Sequence, residues 1–135
     1  MPSPPAAVCD THALLFHAAG AGQLGRRAAA HLAACEKRQA ILYIPVAVIW
    51  ECVLLARGSR INLRRSVRGF FDDLFSNPAY QPYDLTAAQL FLADETRVNR
   101  DPFDALICAA AIDLNLPLIT RDGDIRSSGV VQVMW

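Results

Sequence analysis

The sequence predicts an α/β fold, with a central, mostly parallel sheet flanked by helices on both faces. Short apolar runs of strand length, at 6–9, 41–44 and 117–120, recur between longer segments with helical spacing. The runs are continuously apolar rather than alternating, which is the pattern of strands buried on both faces. The two kinds of segment alternate along the chain, as right-handed βαβ crossovers require. The length of 135 residues suits one core, and neither an internal repeat nor a linker divides it, so one domain over 1–135 is expected.

Residues 1–5, with Pro2, Pro4 and Pro5, read as an irregular leader. The first strand, 6–9, ends at Asp10, and a helix from Thr11 runs to the breakers Gly20 and Gly22. A second, amphipathic helix is expected over 24–38, with Leu24, Ala28, Leu32 and Cys35 on one stripe. Strand 41–44 stops at Pro45, and an almost wholly apolar helix over 46–57 is closed by Gly58. Asn62 is expected to cap a fourth helix that gathers Leu63, Val67, Phe70, Phe71 and Leu74 on one face. The crowding of Phe70, Phe71, Leu74 and Phe75 suggests an exposed apolar patch there. An edge strand is expected over 81–85, and Thr86 with Gln89 forms a capping box for a helix to about Arg97. Asp101-Pro102 places an N-cap before proline at the first helical position, opening a helix through Leu114. A strand at 117–120, a turn at 121–124 and a last strand at 130–133 complete the chain.

Composition removes several function classes. Thirteen Lys and Arg balance thirteen Asp and Glu, so no bulk field steers the chain toward polyanions, and any nucleic-acid contact is local. The longest apolar stretches, 41–56 and 103–119, fall short of a membrane span and carry Glu51, Asp104 and Asp113. The first residues lack the basic region of a secretory signal, so a cytoplasmic location is expected. Cys9, Cys35, Cys52 and Cys108 are widely spaced in apolar surroundings and read as buried thiols. His12 and His17 do not have the HExxH spacing of a zinc site.

The acids are more informative. Sites in open α/β sheets form outside the carboxyl ends of the strands, where Asp10 and Asp122 fall. Each also reads as a local cap or turn former. Glu51 has Ala47, Val48, Leu54 and Leu55 as its helical neighbours, so its face points inward, where a carboxylate needs an ion pair or a metal. Asp104 lies one turn beyond Asp101, and both also suit the start of a helix. Four carboxylates gathered at one sheet edge need a cation, and oxygen-only donors suit Mg²⁺ or Mn²⁺ rather than zinc.

The segments VCDTHALL at 8–15, IWE at 49–51, NRDPFDALICAAA at 99–111 and LPLITRD at 116–122 together resemble a PIN domain. More narrowly, they resemble a VapC-type toxin of a type II toxin–antitoxin pair. The resemblance covers nearly the whole chain, and the order and spacing of the segments make it specific. It implies acidic ligands at Asp10, Glu51, Asp104 and Asp122, the same four positions, with Asp101, Thr120 and Asp124 as candidates for the outer shell. Many relatives carry serines where this chain has Pro45, Val46 and Ala47, and Arg where it has Ala105; these departures bear on substrate contacts rather than on the acids.

The activity implied is Mg²⁺- or Mn²⁺-dependent endoribonuclease cleavage by an activated water, with an antitoxin partner and a homodimer. Glu51, if desolvated, would orient or deprotonate the water. Arg57, Arg60, Arg64, Arg65 and Arg68, with Arg97 and Arg100, are the candidate phosphate track for RNA. Two other readings compete. A receiver-like or phosphatase chemistry fits poorly, because the first-strand acid lacks the second Asp of DxDxT and Lys37 is the only lysine. A non-catalytic PIN-like RNA-binding or interaction module is the remaining alternative.

Overall fold

The computed structural model describes residues 3–20 and 22–135. Part of the expected leader, Met1 and Pro2, therefore lies outside the described residues, and residues 3–5 carry no regular structure. The elements run β1 (Ala6–Cys9), α1 (Thr11–Ala19), α2 (Arg26–Glu36), β2 (Ile41–Pro45), α3 (Val46–Arg57), α4 (Val67–Phe75), β3 (Tyr80–Tyr83), α5 (Ala87–Glu95), α6 (Pro102–Leu114), β4 (Leu118–Ile119), α7 (Gly123–Ser128) and β5 (Val133–Met134).

All five strands are parallel, in the order β3-β2-β1-β4-β5. The chain builds outward from β1 to β2 and β3, then crosses back to add β4 and β5 on the other side. The order reverses between β1 and β4, and the carboxyl ends of these two strands frame the crevice where such sheets bind ligands. Ala7, Val8 and Cys9 are consecutive and wholly buried, as are Leu118 and Ile119, so the centre of the sheet is covered on both faces. The four cysteines are buried free thiols.

Several boundaries differ from expectation for identifiable reasons. Asn62 does not cap α4: its Oδ1 accepts from Arg64 N at 2.8 Å in a local turn, with Arg64 at φ 59°. Ser66 is the cap instead, accepting from Gly69 N at 3.0 Å. The expected 121–124 turn opens α7, because the Asp122 side chain accepts from Ile125 N at 3.0 Å. The last strand lies at Val133–Met134 rather than 130–133, α2 is shorter than 24–38, and the edge strand begins at Tyr80. Half of the Thr86 capping box forms, with Gln89 N donating to Thr86 Oγ1; the Gln89 amide instead donates to Asp84 O.

The apolar patch expected on α4 is not exposed. Phe71 is buried, and Phe70, Leu74 and Phe75 pack against the core. Among the described residues, the exposed large apolar ones are Trp50 and Leu54 on α3, Leu90 and Phe91 on α5, and Leu85 just before α5. Both helices pack against α6. No helix among the described residues is long and apolar enough to cross a membrane.

Candidate active site

Strand register brings the first two polar groups together. Cys9 lies opposite Ile119, so the next residues, Asp10 and Thr120, emerge side by side at the carboxyl ends of β1 and β4. The buried Thr120 hydroxyl donates to Asp10 Oδ2 and accepts from Asp122 N at 3.0 Å. Asp10 Oδ1 caps α1 by accepting from Ala13 N at 2.8 Å. Both carboxylate oxygens of Asp10 are thus engaged. Burial pushes its pKa up, while the Thr120 and Ala13 donors oppose the rise.

The other acids come from helices. Glu51 sits midway along α3 and is half-buried rather than enclosed in the core; it meets Thr11, whose hydroxyl donates to its Oε1 at 2.5 Å. Its inward face is incomplete because Leu54, one turn on, is exposed. Desolvation raises the Glu51 pKa, and the Thr11 hydrogen bond lowers it. Asp104, in the first turn of α6, accepts from Asn99 Nδ2 at 2.8 Å. Desolvation, joined by the charges of Asp101, Asp122 and Asp10, pushes Asp104 up to about 6. Asp101 is exposed and caps α6, accepting from Phe103 N at 2.8 Å. Asp124 is also exposed, and its nearest link is a long 3.4 Å contact from Asn99.

Asp10, Thr11, His12, Glu51, Asp101, Asp104, Arg121 and Asp122 line one cavity of about 320 Å³. All four acids selected from the sequence are therefore brought together, with Asp101 beside them. Thr120 lies beneath, and Asp124 stands outside the lining. A larger cleft of about 860 Å³, between α1, α4 and the segment joining α3 to α4, has no comparable concentration of acids. The basic track is not at this cavity. Arg57, Arg60, Arg64, Arg65, Arg68, Arg97 and Arg100 are exposed and none lines it; Arg64 and Arg65 line the larger cleft, Arg65 pairs with Asp73, and Arg68 with Asp72.

Four residues at the site went unassigned in the sequence: Thr11, His12, Asn99 and Arg121. Their signal was position alone, since Thr11 and Arg121 each adjoin a strand-end acid and Asn99 precedes the Asp101 cap.

The donor set fits a divalent cation in its chemistry. Glu51 Oε2, Asp104 Oδ1 and Asp122 Oδ2 accept no hydrogen bond among the described residues, and no ion pair among those residues neutralises any of the four acids. The donors are all oxygens, as Mg²⁺ and Mn²⁺ prefer. Among the described residues no three such side chains stand within ligating reach of one point; without a cation the carboxylates repel, and holding an ion requires them to close together.

A family model of the PIN domain matches residues 7–129, and the chain belongs to that family. PIN-domain toxins are generally nucleases, and PIN nucleases generally use a divalent metal. The fold is similar to that of a solved chain of VapBC2 from Rickettsia felis bound to a promoter DNA fragment (16% identity, TM-score 0.67, covering 95% of this chain and 96% of that one). It is also similar to a toxin–antitoxin complex from Klebsiella pneumoniae (20%, 0.61, 93% and 94%) and to FitAcB from Neisseria gonorrhoeae (19%, 0.57, 94% and 95%). No curated protein sequence matches the chain.

Proposed function

We propose that the chain is a VapC-type toxin, a metal-dependent endoribonuclease that hydrolyses RNA phosphodiester bonds with an activated water and is inhibited by a cognate antitoxin. The observation that carries this reading is the convergence of Asp10, Glu51, Asp104 and Asp122 on one cavity at the point where the strand order reverses, with none of them neutralised by an ion pair among the described residues. PIN membership and the fold shared with chains of toxin–antitoxin complexes support it.

Asp10, Asp104, Asp122 and Glu51 would hold Mg²⁺ or Mn²⁺, which when bound activates water and neutralises charge on the phosphate. Thr120 fixes the Asp10 carboxylate, and Asn99 fixes Asp104. Glu51, raised by desolvation and with Oε2 unengaged, orients the attacking water and receives its proton. Asp101 acts chiefly as a helix cap, and Asp124 contributes from outside. The exposed arginines from Arg57 to Arg68, with Arg97 and Arg100, hold more distant phosphates of single-stranded or looped RNA.

An antitoxin blocking this cavity would present Arg or Lys to the acids. We assign the exposed apolar residues of α3 and α5 to pairing of two copies. The cytoplasm is the compartment that supplies both RNA and antitoxin. Incubation of the purified chain with mixed RNAs tests the activity: defined fragments in Mn²⁺ and none in EDTA support it. Binding without fragments in either condition supports the non-catalytic module instead.

A further inference from the structure

We infer that Arg121, propped on the ring of Phe16, is a phosphate-binding residue at the mouth of the acidic cavity; this rests on the nuclease reading above. Among the described residues, Arg121 is the one Lys or Arg that lines that cavity. It is exposed and sits directly before Asp122, yet it enters none of the ion pairs found among the described residues. Its guanidinium carbon instead lies 4.7 Å from the centroid of the Phe16 ring. That distance is within the range of a cation–π contact.

The prop is itself held. The Trp135 ring meets Phe16 edge-on, with centroids 6.5 Å apart at 68°, and Trp135 O accepts from Ala28 N at 3.0 Å at the start of α2. His12, one turn before Phe16 on α1, tilts over the same ring at 6.3 Å and also lines the cavity.

A guanidinium that paired with the acids would cancel the charge a cation needs and would lose its own donors. A contact with the Phe16 ring holds the guanidinium without a carboxylate partner, and its N–H groups can match a phosphate's oxygens as a fork. An acidic cavity repels RNA, and the arginine track lies elsewhere. Arg121 is therefore placed to hold a phosphate next to the carboxylates, and Phe16 is a positioning residue that acts through it.

The test compares cleavage of one labelled single-stranded RNA in Mn²⁺ by wild type, Arg121→Ala, Arg121→Lys, Phe16→Leu and the Phe16→Leu/Arg121→Ala double variant. A charge-assisted contact is large enough that Arg121→Ala should lower kcat/KM about ten- to a hundredfold. The log–log salt dependence should become shallower by about 0.7, the slope expected for one contact to single-stranded nucleic acid. Arg121→Lys should keep the salt slope and recover only part of the rate, because a point charge lacks the fork. Phe16→Leu should weaken cleavage in the wild type and add nothing in the Arg121→Ala background. Lys37→Ala, at the far end of α2, serves as the charge control and should leave the salt slope unchanged. An unchanged kcat/KM and salt slope for Arg121→Ala, in a chain whose wild type cleaves, overturns the inference and leaves the nuclease reading intact. A wild type that cleaves no RNA in Mn²⁺ overturns the nuclease reading and this inference with it.

Discussion

Replacing Asp104 with Asn should stabilise the metal-free protein at neutral pH, although it removes a residue from the proposed active site. Burial and neighbouring acids raise the Asp104 carboxyl from 3.8 to about 6. A rise of about two units corresponds to about 3 kcal/mol against the ionised form in the folded state. Solvent screening of a half-buried group reduces this. Two losses also oppose it: the charge at the start of α6 contributes about 0.3–1 kcal/mol, and the Asn99 donor at 2.8 Å would meet a neutral acceptor. The net gain is on the order of 1 kcal/mol, or about 3–5 °C in Tm for a chain of this size.

The sign of the pH dependence follows from the direction of the shift. The folded carboxyl holds its proton above the unfolded value, so the contribution of Asp104 to stability is fully present below 3.8 and is lost as pH rises through about 6. The gap between Asp104→Asn and wild type should therefore be small in acid, open across that interval and level off above it. In saturating Mn²⁺ the order should reverse, since ligand at about a hundred times its Kd adds about 2.7 kcal/mol to the protein that binds it fully. Thermal melts of both proteins across pH in EDTA, repeated in Mn²⁺, measure all three effects. A variant that melts well below wild type in EDTA at neutral pH, with no Mn²⁺-dependent shift of wild type, would refute the argument and leave Asp104 a structural cap.

Glu51→Gln should lose about 10²–10⁴-fold in cleavage rate, the usual range for a positioned base; a full rate removes that role. Thr120→Val leaves Asp10 Oδ2 and Asp122 N without their shared partner and should cost about 2–3 kcal/mol by urea titration, whereas a neutral result would mean that water replaces the hydroxyl. Gly25→Ala would place a Cβ 2.1 Å from Trp135 O, so a loss of about 1–3 kcal/mol is expected, and an unchanged melt would show that Trp135 can move away. Phe91→Glu, at a residue that is 70% exposed, should shift the chain to monomer in light scattering while leaving its far-UV CD spectrum unchanged; unchanged association would place pairing elsewhere.

The parts of this fold that were legible in the sequence are those governed by local chemistry. Pro102 after Asp101 specified where α6 begins, and the continuous apolar run at 6–9 specified a strand covered on both faces. The misread segments are those where two local solutions compete. Asn62 satisfies a turn as readily as a helix start, and Ser66 is the residue that α4 follows directly. Asp122 reads as a turn former in Arg-Asp-Gly-Asp, but it has room to cap because α7 follows. The convergence of Asp10 and Asp122 was legible because strand ends of a parallel sheet lie on one edge; Glu51 and Asp104 reach that edge from α3 and the start of α6, and their apolar surroundings and the family pattern singled them out. The lodging of Arg121 on Phe16 was not, since the two residues are far apart in sequence and meet only after the sheet has closed. The α4 stripe was rightly apolar; a one-dimensional pattern shows that a face is covered without showing whether this chain or another covers it.

The hydroxyl of Thr120 gives the cavity a direction. Asp122 N–H can only donate, so the Thr120 proton is committed to Asp10, and a second donor, Ala13 N–H, occupies the other Asp10 oxygen. A proton arriving at Asp10 must compete with an established donor on either side. Asp104 has one oxygen that accepts no hydrogen bond among the described residues and takes a proton with less disturbance. The cavity is thus asymmetric: the β1 carboxylate is a fixed pole of negative charge, and the α6 carboxylate is an adjustable one. Protonation of the adjustable pole would leave an anchored carboxylate that can still recognise a cation but grips it with one arm fewer.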